Sequence, residues 1–357
     1  MARWLRVTGV AGLAAGAAAA ATGAVLAAEK AAVGRTRLRP DPEAAEPFGQ
    51  LRGRPLTVLA DDGVSLHAEI SGPDDAPVTI IFSHGYTLNQ DAWHYQRRDL
   101  AARSRLVFWD QRGHGRSGRP ETVSVHQLGA DLHAVLLATA PGDTPVVLVG
   151  HSMGGMTVMA LASQHPEVFG SKVIGTVLIS TAASAVEFGW WLPGPLRGLA
   201  RRAAPPVLHG MARGRRAALV ERGRQAGGDL AFLGTRYVGF GDASVSPAVV
   251  DFLERIIRAT PIDMVAQFYA ALLEHDQRPA LPVLARVPVA VVTAGRDRII
   301  PPRLAGELVA GLPGCDLVEI PDAGHVVILE RPEIINDVIT RLTERAVGWQ
   351  QGQGRSA

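Results

Sequence analysis

At 357 residues, 47% of them apolar, the chain is long enough to bury a large core, and its net charge of +2 is too small to point to nucleic acid. The one cysteine, Cys315, excludes an intrachain disulfide and a cysteine-built metal site, and reads as a small apolar residue at a strand start. Lys30 and Lys172 are the only lysines; with the high alanine and glycine content, the arginine bias reads as genome composition rather than function.

The N-terminal residues differ from the rest. Arg3 and Arg6 precede 22 uncharged residues, Val7 to Ala28, mostly alanine and glycine. That length can cross a bilayer, and Leu26-Ala27-Ala28 could end in a small-residue cleavage site. Against export, alanine and glycine partition weakly into hydrocarbon, and Lys30, Arg35, Arg37 and Arg39 follow the segment. The expectation is a signal or membrane-anchor segment over 1–28, hence a membrane-associated or secreted protein. The competing reading is an alanine-rich helix on a cytoplasmic one. Residues 29–55, with Pro40, Pro42, Pro47 and Pro55, read as a linker or extended arm.

Leu56–Ser71 alternates apolar and polar residues around Asp62-Gly63, the pattern of a hairpin. Val78–Phe82 is a continuous apolar strand that runs into Ser83-His84-Gly85-Tyr86. A helix is predicted near 92–102, then a buried strand, Leu106–Trp109, ending at Asp110-Gln111-Arg112-Gly113-His114-Gly115-Arg116-Ser117. Val125–Ala140 has helical periodicity. The strand Val146–Val149 leads to Gly150-His151-Ser152-Met153-Gly154, and an apolar helix follows. Val173–Ile179, Val289–Val292 and Leu317–Ile320 are further strands; Pro302–Leu312 and Pro332–Val347 are helices. Strands alternating with helices predict an α/β fold, a mostly parallel sheet with helices on both faces. Ligands gather at the carboxyl ends of such strands, where every motif above lies.

Between Thr181 and Pro282 the alternation stops. Residues 182–282 read as an inserted helical cap, or lid, dividing a core of 56–181 and 283–347, with 348–357 as a tail. The cap opens with Phe188, Trp190, Trp191 and Leu192. From Arg197 to Arg224 it carries eight arginines against one acidic residue, Glu221. Solvated arginine faces on amphipathic helices explain this, and so does a lid that meets a membrane or an anionic substrate.

A G-x-S-x-G pentapeptide between a buried strand and a helix is the setting of a nucleophile elbow, which presents Ser152 at the strand end. A serine nucleophile needs a base within hydrogen-bond reach and a group that orients the base. His325 follows the last strand as Pro321-Asp322-Ala323-Gly324-His325. Asp297 follows the strand before it as Ala294-Gly295-Arg296-Asp297. The chain order Ser152, Asp297, His325 is the one this architecture uses. Asp322 and Asp276 compete less well for the acid.

On these motifs the chain resembles the α/β-hydrolase superfamily over roughly 56–347, as a serine esterase- or lipase-like member with a helical cap. The resemblance implies an eight-stranded-type sheet and an oxyanion hole made by the backbone N–H groups of Tyr86 and Met153. It implies structural roles for His84, Arg112 and His114, and a packing or tuning role for His151. No metal or organic cofactor is expected. The implied activity is hydrolysis of a carboxylic ester, thioester or lactone, from a small-molecule or lipid-like substrate, through an acyl-enzyme. Three alternatives stay open: acyl transfer, perhydrolysis or C–C hydrolysis at the same site; lipid hydrolysis at a membrane surface; and a non-catalytic ligand-binding protein.

Overall fold

The computed structural model describes residues 33–354, except 35, 191–192, 212–221 and 223–228. The apolar segment expected over 1–28 lies outside the described residues, as do Trp191 and most of the arginine-rich stretch beyond 211.

Eight strands form one sheet: β1 (Arg54–Leu59), β2 (Ser65–Ser71), β3 (Thr79–Ser83), β4 (Arg105–Trp109), β5 (Val146–His151), β6 (Val173–Ile179), β7 (Val289–Ala294) and β8 (Asp316–Ile320). Their spatial order is β1-β2-β4-β3-β5-β6-β7-β8. β2 runs against both of its neighbours, and the other adjacent pairs are parallel. The central strands read as unbroken apolar runs because both faces of the sheet are covered. Successive side chains point to opposite faces. Ile81 and Leu148 therefore join one core cluster, with Leu132 and Met156, while Ile80, Phe82, Val147 and Val149 join the other, with Trp93 and Ile339. The helices α1 (His94–Leu100), α2 (Val125–Thr139) and α3 (Met153–Gln164) follow β3, β4 and β5.

Between β6 and β7 the described residues form α4 (Gly194–Met211), α5 (Asp229–Gly239), α6 (Pro247–Ala259) and α7 (Ile262–Leu273). Pro261 separates α6 from α7, and the pair bends by 91°. Among the described residues no single helix is long and apolar enough to cross a membrane. α6 and α7 instead bury Val250, Leu253, Phe268 and Leu272 within the molecule. The last two long helices are α8 (Pro302–Gly311) and α9 (Pro332–Gly354), with a single helical turn, Val327–Glu330, between them.

Two termini differ from their sequence pattern. The described part of the proline-rich arm lies against the body: Phe48 stacks on Phe252 with centroids 4.7 Å apart, and Glu46 bonds His94 Nε2 at 2.9 Å. α9 continues past the expected end at Val347 to Gly354, through most of the segment taken as a tail. Trp349 packs against both core clusters and gives that extra helix an apolar anchor which the polar run Gln350-Gln351 conceals in the sequence.

The loop after β4 is fastened by one buried cation. The Arg112 guanidinium bonds both Asp131 oxygens on α2 at 2.6 Å, and both Asp62 oxygens of the β1–β2 turn at 2.6 and 3.2 Å. The Arg112 and Asp131 side chains are 1% and 0% exposed, so the pair is cut off from water. Removing one partner of such a pair leaves a buried charge and costs about 3–5 kcal/mol. Asp131→Asn is expected to lower unfolding free energy by that order in a urea titration; a loss below about 1 kcal/mol would show that Asp62 alone satisfies the cation.

Candidate active site

β5 ends at His151, and α3 begins at Met153, so Ser152 alone makes the turn. Its backbone sits at φ 52°, ψ −119°, a region a non-glycine residue rarely occupies. The surroundings impose it. Ser152 N–H donates to Ile179 O at 2.9 Å, its carbonyl accepts from Gly155 N–H at 2.9 Å, and Thr181 Oγ1 donates to the same carbonyl at 2.7 Å. Gly154 lies directly against the Ser83 carbonyl, and a Cβ there would occupy the same space. The first turn of α3 can therefore sit on the end of β3 only as glycine.

The three sequence-predicted side chains meet. His325 Nε2 is 3.0 Å from Ser152 Oγ, and His325 Nδ1 is 2.8 Å from Asp297 Oδ2. The other Asp297 oxygen accepts the N–H groups of Ile299 and Ile300 at 2.7 and 2.8 Å, which fixes the carboxylate in its loop. Ser152, Asp297 and His325 are all buried, at 6%, 3% and 5% exposure. The competing acids face elsewhere: Asp322 bonds Arg331 and Asp276 bonds Arg278, both at the surface.

The turn after β3 abuts the serine. A Cβ on Gly85 would come within 3.2 Å of Ser152 Cβ and 2.9 Å of His151 Nδ1. Tyr86 follows, its hydroxyl donating to Val265 O on α7 at 2.5 Å. Thr87 then adopts φ 61°, which sequence reasoning did not foresee for a β-branched residue. His114 holds it: Thr87 N–H donates to His114 Nε2 at 3.2 Å, while His114 Nδ1 donates to Arg112 O at 3.0 Å. His84 works in the same way, accepting Gln111 N–H at Nε2 (3.0 Å) and donating from Nδ1 to Gly85 O (2.8 Å). Met153 is the first residue of α3, so its N–H has no partner one turn earlier in the helix.

These bonds fit only neutral imidazoles, because each Nε2 serves as an acceptor. Burial pushes His84 down to about 4 and His114 down to about 3. His151 is also pushed down to about 3, by burial first and then by His325; it donates from Nε2 to the His325 carbonyl at 2.9 Å. For such groups the unfolded chain takes up protons first as pH falls. The stability is complete above about 6.5 and drains away from there toward the folded values. His114→Gln, which removes one such group, is expected to lose on the order of 2 kcal/mol less than the parent between pH 7.5 and 5. Chemical denaturation at the two pH values checks this, and equal losses in parent and variant would contradict it.

A cavity of about 180 Å³ opens onto Ser152 and His325. Its far wall comes from the helices between β6 and β7, with Thr235 and Val238 of α5, Leu253 and Ile257 of α6 and Leu272 of α7. No charged side chain lines it among the described residues. Among them, too, no group of three or more His, Cys, Asp or Glu side chains is placed to hold a metal ion.

The profile of the alpha/beta hydrolase family matches residues 80–338. The chain belongs to the α/β hydrolase family. It is 28% identical over 267 residues to the AB hydrolase superfamily protein YisY of Bacillus subtilis, covering 74% of this chain and 91% of that one. It is 26% identical over 291 residues to 3-oxoadipate enol-lactonase 2 of Acinetobacter baylyi, covering 81% and 96%. Among solved structures, the enol-lactonase from Burkholderia xenovorans superposes with a TM-score of 0.64 at 23% identity, covering 81% of this chain and all of that one. A thermophilic esterase from Thermogutta terrifontis gives 0.63 at 21% identity, covering 82% and 98%.

This α/β hydrolase has site features that sequence reading missed. Thr181 looks like an ordinary loop residue, yet it braces the Ser152 carbonyl. Glu330 sits five residues beyond His325, ahead of the helix expected from Pro332, and its carboxylate is buried against backbone. Neither contact has a local sequence pattern.

Proposed function

We propose that the chain is a serine hydrolase that cleaves a small carboxylic ester, thioester or lactone through Ser152, His325 and Asp297. The observation that carries this reading is the unbroken pair of short contacts, Ser152 Oγ to His325 Nε2 at 3.0 Å and His325 Nδ1 to Asp297 at 2.8 Å, at the mouth of an apolar cavity. Asp297 can accept only from Nδ1–H, which leaves Nε2 as the base that faces the serine. The names of the relatives, enol-lactonases and esterases, support the same chemistry.

The reaction runs in two halves. His325 Nε2 takes the Ser152 proton as Oγ bonds the acyl carbon. The carbonyl oxygen becomes an oxyanion held by the N–H groups of Met153 and Tyr86, the first of them at a helix N-terminus. His325 then gives the proton to the departing oxygen or sulfur, and the acyl group stays on Ser152. Water, deprotonated by His325, attacks the acyl-enzyme and restores the hydroxyl. Asp297 holds the ring in its tautomer and favours its cationic form in each half. The uncharged lining favours an apolar acyl or alcohol group, since burying an unpaired substrate charge there would be costly. In this reading α5, α6 and α7 cap the site and keep bulk water from it.

Ser152→Ala is expected to abolish turnover of p-nitrophenyl butyrate with no change in melting temperature. Asp297→Asn, which offers the wrong tautomer to His325, is expected to lower kcat by ~10³–10⁴. Turnover that survives in the alanine variant at the parent rate would end this reading.

A further inference from the structure

The loop that carries His325 lies against the end of α5, and one carboxylate bonds both sides of the junction. Glu330 Oε2 accepts Gly324 N–H, next to His325, at 2.7 Å. Glu330 Oε1 accepts Gly241 N–H at 3.0 Å and Asp242 N–H at 2.6 Å, just beyond the end of α5. The two backbones touch: a Cβ on Gly324 would strike Gly241 and Phe240, and one on Gly241 would strike Ala323 and Gly324. Val326 N–H donates to Gly239 O at 2.9 Å, so both neighbours of His325 are tied to this corner. Outside it, Arg331 bridges Asp242 at 3.0 Å and Asp322 at 2.5 Å.

The acid loop meets the same helix end. Arg298 donates to the carbonyls of Tyr237 and Phe240 at 2.7 and 3.2 Å, and Arg296 to that of Gly241 at 3.0 Å. Those carbonyls belong to the C-terminal end of α5, where donors and cations are favoured. α5 also brings Thr235, Val238 and Gly239 to the cavity.

We propose that Glu330 is a positioning residue for His325: it locks the base loop to the end of α5, so that the imidazole and one wall of the cavity hold a single register. The inference rests on the Ser152–His325 reading above. An ionised carboxylate accepts with both oxygens and makes strong bonds to backbone N–H groups. An amide of the same size has one accepting oxygen and would turn its NH₂ toward another donor.

The test uses the full chain and p-nitrophenyl butyrate, with rates normalised to folded protein by circular dichroism. In Glu330→Gln, kcat is expected to fall ~10–100-fold while KM stays within about threefold, the loss that an ångström of misplacement of a catalytic group produces. Glu330→Asp keeps the charge on a shorter arm and is expected to recover part of that loss. Ile339→Ala, a buried change in α9 that does not line the cavity, serves as the destabilised control and is expected to keep the parent kcat. The proposal is overturned if both Glu330 variants keep the parent kcat per folded molecule, or lose activity only as far as Ile339→Ala does at matched loss of melting temperature. If the glutamine variant fails to fold, the aspartate variant decides by the same criterion. A parent protein that leaves every ester in a chain-length series intact would remove the hydrolase reading and this inference with it, whereas parent turnover with unaffected variants removes this inference alone.

Discussion

Close packing of α3 on the end of β3 is the constraint from which the site follows. Gly154 sits on the Ser83 carbonyl with no room for a side chain, so the helix starts as near the sheet as backbone allows. The chain then has one residue in which to turn from strand to helix. Ser152 takes up that turn at φ 52°, in a region that costs about 1–3 kcal/mol for a residue with a Cβ. Bonds from Ile179, Gly155 and Thr181 hold it there. A hydroxyl that would otherwise choose among rotamers and backbone conformers is fixed at the carboxyl end of β5, with the helix N-terminus behind it.

The electrostatics around that point are arranged by burial. Three histidines around the Ser152 site, His84, His114 and His151, are kept neutral, and the bonds of each hold a specific piece of backbone: the turn after β3, Thr87, and the His325 carbonyl. His325 differs from them in having a carboxylate on one nitrogen and a hydroxyl on the other. Imidazole thus serves here both as neutral scaffold and as the group that faces the serine, and the neighbours of each ring decide which. The uncharged cavity completes the contrast, since the buried Ser152 and His325 lie beside a largely apolar wall.

The helical insertion is part of the same assembly. Its helix α5 ends on both the Asp297 and the His325 loops, and α7 accepts the Tyr86 hydroxyl through Val265. The elements that carry Ser152, Asp297, His325 and the turn after β3 therefore meet around one small volume, although they come from β3, β5, β7 and β8 and from a segment with no strand of its own among the described residues. The helices between β6 and β7 supply the far wall of the cavity.

The sequence by itself determined the alternation of strands and helices, because apolar runs and helical spacing are local consequences of burial on one or two faces. It also singled out Ser152, Asp297 and His325 as candidates, since each stands at the carboxyl end of a strand, in a short motif whose glycines mark a tight turn, and the fold brings the three side chains within hydrogen-bond reach. It misjudged α9, whose last turns depend on where Trp349 lands rather than on the polar residues around it. Only the tertiary structure decided that Thr181 braces the Ser152 carbonyl, that His114 holds Thr87, that Asp322 and Asp276 face solvent-side arginines, and that Glu330 joins two loops more than eighty positions apart. These are contacts between distant backbone groups and single side chains. They leave no periodicity or spacing in the chain, and they exist only once the sheet has brought its strand ends together.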